Sequence, residues 1–151
     1  MVNHNAVGTH TPTFEMTVER GKIREFARAT SSTEAAYLDD EDAVITPTFL
    51  TTVTFWQPPE AAALYKDLDI DGRRLLHGEQ EYLFPGVPPR AGDRLHVTTA
   101  VEEIYEKEGK RGGSMTFVVT RTDFTDADGR VVAQARATAI ETGRAPTTTE
   151  A

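Results

Sequence analysis

Apolar positions recur along this chain with two different periods, and each period marks a kind of element. Phe14, Met16 and Val18 alternate with polar residues, the period-2 sign of a strand with one buried face. Gly21 breaks that pattern. Ile23, Phe26 and Ala27 then fall at i, i+3 and i+4, which predicts an amphipathic helix over residues 22–30. Residues 31–44 hold no period and read as an irregular acidic excursion, with Asp39, Asp40, Glu41 and Asp42 in a row. The stretch from Thr46 to Trp56 is rich in Thr, Val and Phe, types that favour strands. Against that, Phe49, Leu50, Val53 and Trp56 share one helical face, and Thr46-Pro47 is a good N-cap and first-turn pair. Pro58-Pro59 stops the run, so a buried helix is predicted, with a second short helix over residues 59–68.

The rest of the chain has strand character. Residues 75–84 form one strand, followed by a turn-rich connection over 85–93. Leu95, Val97, Thr99 and Val101 alternate in the next. Residues 106–113 make a charged hairpin tip, and Met115, Phe117, Val119 and Arg121 form the following strand. Asp126-Ala-Asp-Gly129 is a hairpin turn, and residues 131–142 are the last strand. Helices first and hairpin-linked strands afterwards give an α+β layout, an antiparallel sheet covered by one central helix. Residues 1–12 are polar and read as a flexible arm, residues 13–143 as the domain, and residues 144–151 as a disordered tail.

Composition narrows the class. A chain of 151 residues with 38% hydrophobic and 26% charged content suits one globular domain. The absence of cysteine excludes disulfides, thiolate metal sites and a cysteine nucleophile. A formal charge of −8 argues against a nucleic-acid partner. No signal-peptide pattern and no membrane-length apolar run is present, so a cytoplasmic protein is expected.

Several stretches carry a resemblance. Residues 18–29 (VERGKIREFARA) are similar to the opening segment of MaoC-like N-terminal (FAS1-like) dehydratase domains. Thr46-Pro-Thr-Phe49 resembles the start of their central helix, Leu76-His-Gly-Glu-Gln-Glu81 their next strand, and Pro89-Arg-Ala-Gly-Asp93 the turn that commonly reads RPLRAGD. Ser114–Thr120 and the Asp128-Gly129 hairpin fit as well, in the right order. The resemblance implies a hot-dog fold, a curled antiparallel sheet wrapped around a central helix. It also implies hydration of trans-2-enoyl thioesters or dehydration of 3-hydroxyacyl thioesters, on CoA or acyl-carrier protein, with no cofactor.

The family's active pattern is Gly-Asp-x-Asn-Pro-x-His just after the opening helix. Its Asp and His activate a water and move the proton at the substrate α-carbon. A backbone N–H near the central-helix start would stabilise the enolate. Here the matching stretch is Thr30-Ser-Ser-Thr-Glu-Ala-Ala-Tyr37, which puts Ser32 at the Asp position and Tyr37 at the His position. A serine hydroxyl is no base, and an ordinary tyrosine titrates near 10. In this the chain resembles the non-catalytic subunits of heterodimeric dehydratases, in which one hot-dog subunit brings Asp and His and the other shapes the acyl pocket. The resemblance therefore implies a MaoC-like catalytic partner in a heterodimer or heterotetramer, with a homodimer as the alternative.

Among single residues, His77 and Glu79 are weak catalytic candidates, since a strand of period 2 would put both on one face; the plainer reading makes His77 a packing or capping residue. Tyr37, Thr48, Leu50, Val53, Thr54 and Trp56 are candidates to line an acyl slot, although each is also a reasonable core or surface residue. Arg90, Lys110 and Arg111 are weak candidates for phosphate contacts. The acidic run lacks the ligand spacing of a calcium loop, and His4, His10 and His96 are too scattered for a metal site. Two further readings stand beside the non-catalytic subunit. One is a self-sufficient homodimeric hydratase or thioesterase using His77 and Glu79. The other is an acyl-thioester-binding module without chemistry.

Overall fold

A computed structural model describes residues 1–109 and 113–143. Five strands form one antiparallel sheet: β1 (Phe14–Thr17), β2 (Leu75–Leu83), β3 (Arg94–Glu108), β4 (Ser114–Thr125) and β5 (Val131–Thr142), in the order β1-β3-β4-β5-β2. Period 2 does what the sequence pattern requires. In β3, Leu95, Val97, Thr99 and Val101 are buried, and residues between them are more exposed. The buried face meets a layer made of α1 (Arg20–Ala29), α2 (Ala35–Leu38), a 3-10 helix over Phe49–Phe55 and α3 (Pro59–Asp67). Ile23 and Ala27 are the fully buried residues of α1. The main core joins them to Met16, Val18, Phe49, Leu50, Leu95, Val97 and Phe124.

The predicted central helix is not one α-helix. It is a seven-residue 3-10 helix, a break at Gln57-Pro58, and then α3. Four consecutive β-branched residues at positions 51–54 (Thr, Thr, Val, Thr) crowd an α-turn, and Pro58 follows soon after. Thr46 does not cap the segment with its side chain. Its carbonyl accepts the Phe49 N–H at 3.0 Å, and its hydroxyl is buried without a partner. The helix begins only at Phe49.

Residues 1–12 are not a loose arm. Val2 and Ala6 are 5% and 3% exposed and complete a second core with Leu64, Leu68, Val101 and Val118. The backbone then runs beside β3: the Gly8 N–H donates to the Val101 carbonyl at 2.9 Å and the Thr11 N–H to the Thr99 carbonyl at 2.8 Å. Two small apolar residues spaced by four were enough to anchor a segment that composition alone marks as polar. The tail at 144–151 lies outside the described residues. So do Lys110 and Arg111. Among the described residues, no helix is long and apolar enough to cross a membrane.

Candidate functional site

Helix α1 ends in a tight reversal that sets the loop after it. The Ser31 N–H donates to the Arg28 carbonyl and the Ser32 N–H to the Ala27 carbonyl, at 3.0 and 2.8 Å. Ser31 takes φ +60°. This paired 5→2 and 6→1 pattern with a left-handed residue is the Schellman arrangement, which glycine normally serves. Ser32 is half-buried, and its hydroxyl accepts only a long 3.4 Å contact from the Glu34 N–H. Tyr37 lies on the one-turn helix α2 and packs against the main core. Arg20 holds α2 in place, donating from Nη1 to the Tyr37 carbonyl at 3.2 Å and from Nη2 to the Leu38 carbonyl at 2.8 Å. Ser32 and Tyr37 thus sit on a well-fastened loop, but no hydrogen bond joins them and neither supplies a carboxylate or an imidazole.

His77 and Glu79 do not share a face. The strand register slips between them, with Gly78 as the extra residue, so His77 stands opposite Ala139 and Glu79 opposite Thr138. Ala139 belongs to the second core's surroundings, which puts His77 on the concave face and Glu79 on the convex one. A bulge explains the difference from simple alternation. A side chain at Gly78 would meet Ile140 Cδ1 at 2.8 Å, so glycine at this bulge answers a close approach.

The 3-10 helix parts the slot candidates into rows, because residues three apart eclipse in this geometry. Leu50, Val53 and Trp56 form the row turned to the main core. Thr48, Thr51 and Thr54 form an exposed row. The third row runs from buried Phe49 through buried Thr52 to Phe55, which is 74% exposed. The five candidates on this segment therefore face two directions.

Sequence reasoning missed the polar groups under this layer. Thr52 is 4% exposed and its hydroxyl, like that of Thr46, has no partner. Burial raises the Tyr82 hydroxyl above its ordinary pKa, partly offset by a hydrogen bond with Thr51. Tyr65, 47% exposed overall, shows the same direction: burial raises its hydroxyl, partly offset by hydrogen bonds with Thr99 and Gln57. Thr99 Oγ1 in turn lies 2.8 Å from Thr122 Oγ1.

Arg90 is engaged within the chain. Its Nη1 donates to the Asp42 carbonyl at 2.7 Å and to Asp42 Oδ2 at 3.1 Å, so the acidic run and this arginine serve each other. On the convex face, Glu102 is the extra residue of a second bulge. It bridges Arg136 at 2.6 Å and Arg121 at 3.3 Å, and the hydrogen bond from Arg136 foremost lowers its pKa. Alternation along β3 turns Glu102 outward, and the sheet register supplies the two arginines, which face each other across β4 and β5.

A curled five-stranded antiparallel sheet in this order, closed on one side by a helical layer, defines a hot-dog protein. The chain belongs to the family described as FAS1-like, dehydratase domain region, whose model matches residues 5–135. It is 35% identical over 137 residues to a UPF0336 protein of Streptomyces griseus, covering 84% of this chain and 85% of that one. A UPF0336 protein of Saccharopolyspora erythraea is 31% identical over 143 residues, covering 89% and 86%. Among solved structures, the fold is similar to a chain of the C-terminally truncated HadBC (3R-hydroxyacyl-ACP dehydratase) complex of Mycobacterium tuberculosis, with TM-score 0.71, 24% identity and coverage of 89% and 96%. A chain of the ChsH1-ChsH2 complex of the same organism aligns with TM-score 0.66 at 12% identity, covering 92% and 87%.

Proposed function

We propose that this chain is the pocket-forming, non-catalytic subunit of a heteromeric enoyl-thioester hydratase or 3-hydroxyacyl-thioester dehydratase of fatty-acyl metabolism in the cytoplasm. One observation carries the reading. The chain matches the dehydratase-domain family over residues 5–135, yet when its loop after α1 is set against the Gly-Asp-x-Asn-Pro-x-His segment it resembles, Ser32 and Tyr37 stand where the Asp and His would. Water addition across the C2–C3 double bond needs a base to take a proton from water and an acid to return one to C2. Neither residue does this near neutral pH, so the acid/base pair comes from a MaoC-like partner subunit. This chain's share is the apolar wall of Leu50, Val53 and Trp56 beside the acyl group of an acyl-CoA or acyl-carrier-protein thioester. The names of the similar HadBC and ChsH1-ChsH2 complexes are consistent with pairing of unlike subunits. Use of His77 with Glu79 as a substitute pair is disfavoured by their placement on opposite faces.

The test is enoyl-thioester hydration by the purified chain, alone and with a catalytic subunit that has an intact Gly-Asp-x-Asn-Pro-x-His segment. Alone, it is expected to run about 100- to 10,000-fold below the assembled enzyme, the usual loss for a missing acid/base group. Robust turnover by the chain alone, abolished in His77→Ala or Tyr37→Phe, would overturn the reading.

A further inference from the structure

We infer that the outer edge of β2 selects an unlike partner by charge: Glu79 and Glu81 oppose pairing with a second copy of this chain and fit a facing strand that carries Lys or Arg. The inference rests on the reading of the chain as one subunit of a heteromer, and names what that subunit recognises.

Strand β2 ends the sheet beyond β5. Its residues are exposed throughout except half-buried Tyr82, and Leu75, Leu76 and Leu83 are 46%, 51% and 54% exposed. An edge of this length with unpaired backbone groups invites another strand, and it contains neither proline nor lysine to discourage one. After the bulge at Gly78 the ladder is regular from Glu79 to Leu83. In that run Glu79 stands opposite Thr138 and Glu81 opposite Arg136, both on the convex face. Among the described residues neither carboxylate is held by an ion pair. The arginine opposite Glu81 gives its guanidinium to Glu102 at 2.6 Å.

Antiparallel pairing of two identical strands has a two-fold axis, and its position fixes which residues meet. Centred on residue 79 it sets Glu79 against Glu79; centred on 80, Glu79 against Glu81; centred on 81, Glu81 against Glu81. Centred on 82 it sets Glu79 against Pro85, which has no N–H to continue a ladder. Every centre within the regular run that keeps a full ladder therefore faces carboxylate with carboxylate, and like charges directly opposite destabilise a strand pair. The formal charge of −8 adds to the repulsion between copies. A basic side chain on a different strand reverses the sign of each contact. It also has somewhere to lie: a shallow cleft of about 170 Å³ on the convex face is bounded by Glu81 and Leu83 on β2 and by Glu102, Arg121, Gln134 and Arg136 further in.

The experiment mixes two differently tagged forms of the full chain, wild type and Glu79→Lys/Glu81→Lys, and measures their pairing by native mass spectrometry and sedimentation at low and high salt. Mixed pairs are expected to associate about tenfold or more tightly than either form with itself at low salt, with the preference shrinking as salt screens the charges. The uncharged Glu79→Gln/Glu81→Gln form is expected to self-associate several-fold more tightly than wild type, and it keeps the test decisive should the lysine form fold poorly. Mixed pairs at no more than the statistical share, or wild-type self-association as tight as that of the glutamine form, would overturn the inference. Those outcomes leave the hydration assay untouched, whereas robust turnover by the chain alone would sink the heteromer reading whatever the charge preference.

Discussion

Ser31 occupies a left-handed conformation that glycine adopts without penalty. A non-glycine residue there costs about 1–2 kcal/mol, and nothing the Ser31 side chain does offsets it, since its hydroxyl makes no hydrogen bond among the described contacts. Ser31→Gly is therefore expected to stabilise the isolated chain by about 1 kcal/mol, read from urea melts; a loss of stability would mean the serine has an unrecognised contact. Thr52 poses the opposite problem, a buried hydroxyl without a partner. Leaving such a group unpaired costs about 1–3 kcal/mol, so Thr52→Val, which keeps the shape, is expected to raise the melting temperature of the isolated chain. If the same variant lowers turnover of the assembled enzyme, the hydroxyl serves a bound group; if it lowers stability, the premise of an unpaired hydroxyl is wrong.

At the scale of elements, the 3-10 helix decides what each side chain on it can do. Val53 lies in the row packed on the main core, and Thr54 one residue on lies in the exposed row. Val53→Phe is expected to reject long acyl thioesters in the assembled enzyme while sparing short ones, because each methylene in an apolar slot is worth about 1–3 kcal/mol. A uniform fall for all chain lengths with a matching stability loss, typically about 1–3 kcal/mol for overpacking, would make Val53 plain core. Thr54→Phe, on the other row, serves as the control and is expected to leave the melting curve unchanged.

For the molecule as a whole, the N-terminal segment closes the second core. Removing residues 1–8 uncovers Leu64, Leu68, Val101 and Val118 and deletes the buried Val2 and Ala6. Burial of a valine side chain alone is worth about 1.5–3 kcal/mol, so the truncated chain is expected to lose about 3 kcal/mol or more in chemical denaturation. An unchanged midpoint would show that the segment is as loose as its composition suggests.

The sequence by itself determined the α+β class, all five strands, and the helices of α1 and α3; the motif resemblance proposes Ser32 and Tyr37 at the catalytic Asp and His positions. These follow from periodicity, proline and glycine punctuation, and residue identity at matched positions, each of which acts over a few neighbours. What only the tertiary structure decided depends on a one-residue slip or on a distant surface. The bulge at Gly78 sent His77 and Glu79 to opposite faces, and the pairing of β4 with β5 set Arg121 against Arg136, where both reach Glu102. The run of β-branched residues before Pro58 tightened a predicted α-helix into a 3-10 helix and parted Leu50, Val53 and Trp56 from Thr48 and Thr54. Val2 and Ala6 found their partners only because α3 and β3 present Leu64, Leu68 and Val101 to them. A hydrophobic pattern states which residues seek burial; which surface receives them is settled when the sheet and the helical layer come together.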